Sequence, residues 1–230
     1  MTDALKIKNL IFSYPGANTN TIEVGHLDLK MGEKTFLQGP SGSGKSTLLN
    51  LIGGVLKPQS GRIEILGSNI CQLNASQKDR FRANHIGFIF QQFNLISYMN
   101  VIENVLLPLK YSKKRGKRCL ASNPTKEAER LLEHLGLEEK KTEKVTDLSV
   151  GQQQRVAVAR ALLGKPEIII ADEPTSALDF SHQEKFVNLL LDEVKENNAS
   201  LLFVSHNPTL SAHFDRLLNI NDLKRGGGHG

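Results

Sequence analysis

Gly39-Pro40-Ser41-Gly42-Ser43-Gly44-Lys45-Ser46 matches the spacing G-x-x-x-x-G-K-[ST] in full. Glycines so placed let the chain turn tightly enough for backbone N–H groups to point inward at phosphate oxygens. A helix starting at the end of such a loop adds the positive pole of its dipole. Lys45 then reaches the outer phosphates, Ser46 offers a hydroxyl to Mg²⁺, and Thr47 continues the same binding loop. The plain alternative is a glycine-rich turn ahead of an ordinary helix. Two spaced glycines, a lysine and a hydroxyl rarely coincide at a strand–helix junction, so a phosphate loop is the stronger reading.

Ile168-Ile169-Ile170-Ala171-Asp172-Glu173 is an apolar run that ends in two acids. A buried strand delivering carboxylates at its C-terminal end is where α/β proteins place ligand groups. Asp172 suits the shell of a divalent cation, and Glu173 suits a general base for an attacking water. Taken alone, the run could equally be a strand followed by an exposed acidic turn. Together with the phosphate loop it points to nucleoside triphosphate hydrolysis, and still leaves kinases, GTPases, helicases and transporter ATPases open.

The elements that must position these residues follow from periodicity. Residues 7–14 and 21–29 read as strands around a turn at Pro15-Gly16-Ala17-Asn18, and residues 34–38 as a strand entering the glycine loop. Residues 45–52 read as a helix, residues 62–66 and 86–90 as further strands. Ala128, Leu131, Leu132 and Leu135 recur at helical spacing within 126–137, as do Val156, Ala159 and Leu163 within 152–163. Strand character returns at 168–171 and 201–205, with an amphipathic segment at 184–196 between them. The expectation is an α/β core, residues 1–90 and 164–230, interrupted by a helical insertion at 91–163. The glycine-rich end, residues 226–230, reads as a flexible tail.

Composition narrows the class. The chain has 230 residues, 39% hydrophobic and 23% charged, which is ordinary for a globular domain. No apolar run approaches the roughly 18 residues a membrane span needs, and the N-terminus lacks a signal pattern. Cys71 and Cys119 form no metal or redox spacing, which fits a reducing cytoplasm. The net charge of +5 is unevenly spread: Lys110, Lys113, Lys114, Arg115, Lys117 and Arg118 cluster, and no acid occurs from Asn104 to Lys126. That segment reads first as a solvated loop, and second as a contact for anionic lipid or a membrane partner.

One further stretch separates the P-loop classes. Leu148-Ser149-Val150-Gly151-Gln152, continuing Gln153-Gln154-Arg155-Val156-Ala157-Val158-Ala159-Arg160-Ala161-Leu162, resembles the LSGGQ signature of ABC ATPases and the helix after it. Val150 stands where glycine is usual, at the more tolerant position of the motif. The resemblance implies a RecA-like P-loop core with an inserted α-helical subdomain and an N-terminal antiparallel β region. It also implies that Ser149, Gly151 and Gln152 contact the γ-phosphate of ATP bound by a second copy. By the same resemblance Tyr14 stacks on adenine, and Gln91, rather than Gln92, senses Mg²⁺ and the attacking water. Ser176-Ala177-Leu178-Asp179 looks like the D-loop, with Asp179 at the dimer interface, and His206 like the switch histidine on the γ-phosphate. Phe90-Gln91-Gln92-Phe93-Asn94-Leu95-Ile96 with Glu103-Asn104-Val105 is similar to the lipoprotein-release, macrolide-export and cell-division branch.

The resemblance implies an ATPase subunit that works as a nucleotide-sandwich homodimer with Mg²⁺ and drives a separate integral membrane permease, from the cytoplasmic face of the membrane. A soluble ABC ATPase acting on nucleic acid or ribosomes is the alternative; such relatives carry a long coiled coil or two cassettes, so no nucleic acid is expected. A non-catalytic nucleotide switch is disfavoured by the presence of Glu173, Gln91 and His206. The apolar stretch from Phe93 to Val101 is expected to line the permease groove through Phe93, Leu95, Tyr98 and Met99.

Overall fold

The computed structural model describes residues 3–17, 19–119 and 123–224, with the backbone alone at Phe180 and Ser181. The chain begins with β1 (Asp3–Phe12), β2 (Ile22–Lys30), β3 (Lys34–Gln38), α1 (Lys45–Ile52), β4 (Ser60–Ile65) and β5 (Ser68–Asn69). It continues with α2 (Ala75–His85), β6 (Ile86–Ile89), α3 (Val101–Tyr111), α4 (Lys113–Arg118), α5 (Pro124–His134) and α6 (Val150–Leu162). It closes with β7 (Ile168–Asp172), α7 (Phe180–Glu196), β8 (Ser200–Ser205) and β9 (Arg216–Asn219). Asn18 of the first turn and the glycine-rich tail lie outside the described residues.

Two sheets result. Alternation in β1 buries Leu5, Ile7 and Leu10 and pairs them antiparallel with β2, in the order β2-β1-β4-β5. The second sheet, β6-β7-β8-β3-β9, is parallel throughout. Its central strands are apolar without alternation, as strands covered on both faces must be: every residue of β8 is buried. One apolar cluster joins Leu37, Ile170 and Val204 to α1 and the antiparallel sheet. A second joins Phe36, Ile169 and Phe203 to the buried faces of α3, α5, α6 and α7.

Helix starts are chemically marked. Asn74 with Gln77, Asn100 with Glu103, and Ser149 with Gln152 each form a reciprocal capping box at α2, α3 and α6. Helix α2 has no buried residue and only one large apolar side chain, Phe81, so apolar periodicity could not reveal it.

The segment expected to be a solvated loop at 110–118 is corrected: it ends α3 and forms α4. Arg115 is only 3% exposed, and its guanidinium donates to the carbonyls of Leu163 and Ala161, capping the C-terminal end of α6. Burial pushes that guanidinium down to about 10. Arg118 pairs with Glu167 and donates to Lys165 O at 2.8 Å. Two cations of the cluster are therefore structural.

A candidate nucleotide site at the strand ends

The parallel register brings the chemistry together. Gln38 lies beside Ser205, Asp172 beside Val204, and Ile89 beside Ala171. All four strands end on one edge, so the residues that follow them, the Gly39 loop, Gln91, Glu173 and His206, emerge as a group.

The loop between β3 and α1 has the shape a phosphate cradle needs. Gly44, immediately before α1, has φ 93°, and a Cβ there would sit 2.4 Å from Ile22 Cδ1. Gly42 also has a positive φ, 76°, and a Cβ there would meet nothing within 4 Å. Lys45 is buried; its ammonium donates to Gly39 O at 2.8 Å and Pro40 O at 2.9 Å, and lies 3.3 Å from Glu173 Oε1. The other Glu173 oxygen pairs with His206 Nδ1. Glu173 adopts φ 45°, and its N–H donates to Val204 O at 2.9 Å. A left-handed conformation at a non-glycine residue costs about 1–2 kcal/mol, and it is held where strand gives way to site.

Asp172 sits between Ser46 and Glu173. Burial pushes its carboxyl above the ordinary aspartate value, a hydrogen bond with Ser46 works in the opposite direction, and the Glu173 charge adds to the rise. Among the described residues its Oδ1 is buried without a hydrogen-bond partner. An orphaned carboxylate oxygen beside a hydroxyl is a hard-oxygen donor set, and these residues fit Mg²⁺.

Tyr14 stands over the start of α1. Its hydroxyl is 3.3 Å from Thr47 Oγ1, and Phe12 supports its ring edge-on at 5.0 Å between centroids. It remains 45% exposed. A cavity of about 560 Å³ is lined by Ser41, Gly42, Gly44, Lys45, Ser46, Thr47, Gln91, Glu173 and His206. Gly39, Pro40, Ser43 and Asp172 belong to the same loop and strand end, just behind the lining. Thr21 and Ser176 also line it. Sequence reasoning missed both as site residues: Thr21 reads only as the start of a strand, and Ser176 only as part of the segment that resembles the D-loop.

Tyr14 reaches the cavity only through Thr47, and four predicted residues are placed on helix starts outside it. Ser149 Oγ accepts from Gln152 N at 3.3 Å while Gln152 Oε1 accepts from Ser149 N at 2.8 Å, so both cap α6. Gly151 follows in the first turn, where a Cβ would meet only Leu178 Cδ2, at 3.9 Å. Asp179 caps α7 by accepting from His182 N at 3.1 Å. None of the four lines the cavity that holds the phosphate loop of this chain.

The predicted groove residues divide. Phe93 is buried and its carbonyl is bound by Arg160, so it is corrected from groove to core. Leu95 packs against the apolar cluster of the helical part, and Tyr98 is 80% exposed. A larger groove, about 700 Å³, is walled by Val55, Phe88, Phe90, Pro108 and Tyr111 on its apolar side and by Asp79, Arg80, Arg82 and Arg115 on its charged side.

A glycine loop closing on a buried lysine at the end of a parallel strand, with two acids at the end of the next strand but one in the same sheet, defines a P-loop nucleotide-binding domain. The model of the ABC transporter family matches residues 23–176. The macrolide export ATP-binding/permease protein MacB of Shigella sonnei is 37% identical over 224 residues, covering 96% of this chain and 34% of that protein. MacB of Escherichia coli K12 is 38% identical over 225 residues with the same coverage. The chain thus spans about a third of the length of these curated relatives. The ATP-binding cassette MJ0796, solved as a dimer in a post-hydrolysis state bound to ADP and Pi, superimposes with a TM-score of 0.82 at 38% identity, covering 94% of this chain and 93% of that one. CbiO1 from Clostridium perfringens, part of the transporter complex CbiONQ, gives 0.81 at 28% identity, covering 94% and 84%. The chain belongs to the ABC transporter family, as an ATP-binding, ATPase cassette of the MacB and MJ0796 type with a RecA-like core. Among the described residues no helix is long and apolar enough to cross a membrane.

Proposed function

We propose that two copies of this chain bind Mg-ATP between them head to tail, hydrolyse it, and drive a membrane permease docked in the larger groove. The observation that carries this reading is the separation of Ser149 and Gly151 from Lys45, Glu173 and His206. The exposed start of α6 offers a hydroxyl, backbone N–H groups and a positive helix end, and the chain's own phosphate loop does not use them. A second copy placed head to tail supplies each half with the other.

Within one site, phosphate oxygens compete with Gly39 and Pro40 carbonyls for the Lys45 ammonium. Ser46 and Asp172 would hold Mg²⁺, with Gln91 beside them, and the ion supplies charge neutralisation for the phosphates when bound. Glu173 accepts a proton from the attacking water, and His206 orients that carboxylate from its other oxygen. Tyr14 offers a ring face to the base. Residues 91–163 act as a subdomain whose movement carries the α6 start toward the partner, and the groove between α2, α3 and β6 transmits it to the permease. The cassette then works at the cytoplasmic face of the membrane.

The test is specific activity in Mg-ATP across a dilution series. Activity per molecule should fall on dilution as dimers dissociate. Constant activity down to a demonstrably monomeric state would overturn the shared site.

A further inference from the structure

Within eight residues the basic segment gathers four lysines that pair with no carboxylate among the described residues. Other lysines without a carboxylate partner, Lys8, Lys57, Lys78, Lys185 and Lys195 among them, stand singly in the sequence, and several more are tied to carboxylates. Lys6 and Lys30 pair with Asp3, Lys34 with Asp215, Lys140 with Glu143 and Lys141 with Glu129. Lys110, Lys113, Lys114 and Lys117 are all exposed, and among the described residues none of them pairs with a carboxylate. The nearest polar partner is His85, whose Nε2 is 3.4 Å from Lys114 Nζ. This charge is held rigidly. Arg115 pins α4 to the end of α6, and Arg118 pins it to Glu167 and Lys165 O. Gly164 at φ 75° allows the close approach, since a Cβ there would lie 2.6 Å from Arg115 Cβ.

Position adds direction. Arg115 and Tyr111 help wall the larger groove, so the buried side of α4 is groove wall while its exposed positions carry lysine. Tyr111, 72% exposed, stands between Lys110 and Lys113. An amphipathic ring among lysines is the composition of a membrane-facing surface. Both arginines of the segment are used internally, which removes the bidentate forks that recognise individual phosphates and leaves point charges suited to a diffuse anionic field.

We propose that the lysine face of α4, beside the groove, binds an anionic phospholipid surface. The orientation rests on the reading of the groove as the permease dock; lipid binding itself does not. Held within about one Debye length, roughly 10 Å, of headgroups, each lysine contributes about five-fold to partitioning, and three together roughly a hundred-fold.

The experiment is flotation of the purified chain with phosphatidylcholine vesicles and with vesicles containing phosphatidylglycerol. The chain should float with the anionic vesicles only, and less as salt rises. Lys113→Gln/Lys114→Gln/Lys117→Gln should lose binding by roughly a hundred-fold. A charge-matched control, Lys8→Gln/Lys57→Gln/Lys195→Gln, should retain it, and all three proteins should melt alike. Equal loss in both variants would reduce the effect to net charge and overturn the proposal, as would failure of the unsubstituted chain to float. A triple α4 variant that floats normally but no longer copurifies with a membrane protein would assign the lysines to an acidic permease segment instead. Phe90→Asp separates the underlying reading: loss of the permease with flotation intact supports the groove, whereas retained copurification removes the groove and leaves the lipid surface standing.

Discussion

Asp172 and Glu173 are neighbours in sequence with opposite electrostatic surroundings. Glu173 lies between Lys45 and His206, while burial disfavours charge on Asp172. For Asp172 the sign follows directly. Its folded value is raised, so its contribution to stability is fully present at low pH and is lost as pH rises through that raised value. At neutral pH its charge costs stability. Asp172→Asn should therefore raise the melting temperature of the protein without nucleotide while lowering Mg-dependent hydrolysis sharply; a lower melting temperature would contradict the burial argument. Glu173→Gln keeps the shape and removes the base. Turnover should fall about 10²–10⁴-fold with nucleotide binding retained, and turnover within a few-fold of the unsubstituted chain would remove Glu173 from catalysis.

Helix α6 joins the parts of the site. Its N-terminal end carries Ser149 and Gly151; further along, Gln154 donates to the Pro174 carbonyl just beyond Glu173. Near its C-terminal end, buried Arg160 donates to Asn94 O at 2.6 Å and to Phe93 O. Phe93 and Asn94 both have left-handed backbones, φ 56° and 49°, immediately after Gln91-Gln92. One guanidinium thus holds the loop that positions Gln91. Arg160→Ala should cost about 2 kcal/mol or more of stability and, below the transition, reduce hydrolysis more than nucleotide affinity. Arg160→Lys, able to reach one carbonyl, should fall between. Hydrolysis unchanged in a folded Arg160→Ala protein would break the link. This coupling was not legible in the sequence, where Arg160 reads as a helix-face cation among apolar neighbours. Helix α4 was hidden for a related reason: Arg115 is buried by backbone carbonyls, and carbonyls leave no pattern. Helix α3 is not read as an element of its own in the sequence; Pro108 lies inside its run, and its Asn100–Glu103 capping box is seen in the structure. The phosphate loop and the end of β7 were plain, because their chemistry is carried by residue type at fixed local spacing.

At the scale of the molecule, the residues expected at the site fall into two groups. The strands gather Lys45, Asp172, Glu173 and His206 at one edge, while Ser149, Gly151 and Asp179 sit on helix starts outside that cavity. That division is what a sequence cannot reveal by spacing, since both sets lie on the same chain and only their placement separates them. On the proposed function, ATP is shared between two copies. The most direct measurement is the mass of the Glu173→Gln protein by light scattering, with and without Mg-ATP. The chain mass is 25.4 kDa, and Mg-ATP should convert that species to twice the mass. Adding Ser149→Arg to the same chain should prevent the conversion while nucleotide binding survives. A Glu173→Gln protein that binds Mg-ATP and stays at the single-chain mass, at every concentration tested, would contradict the account.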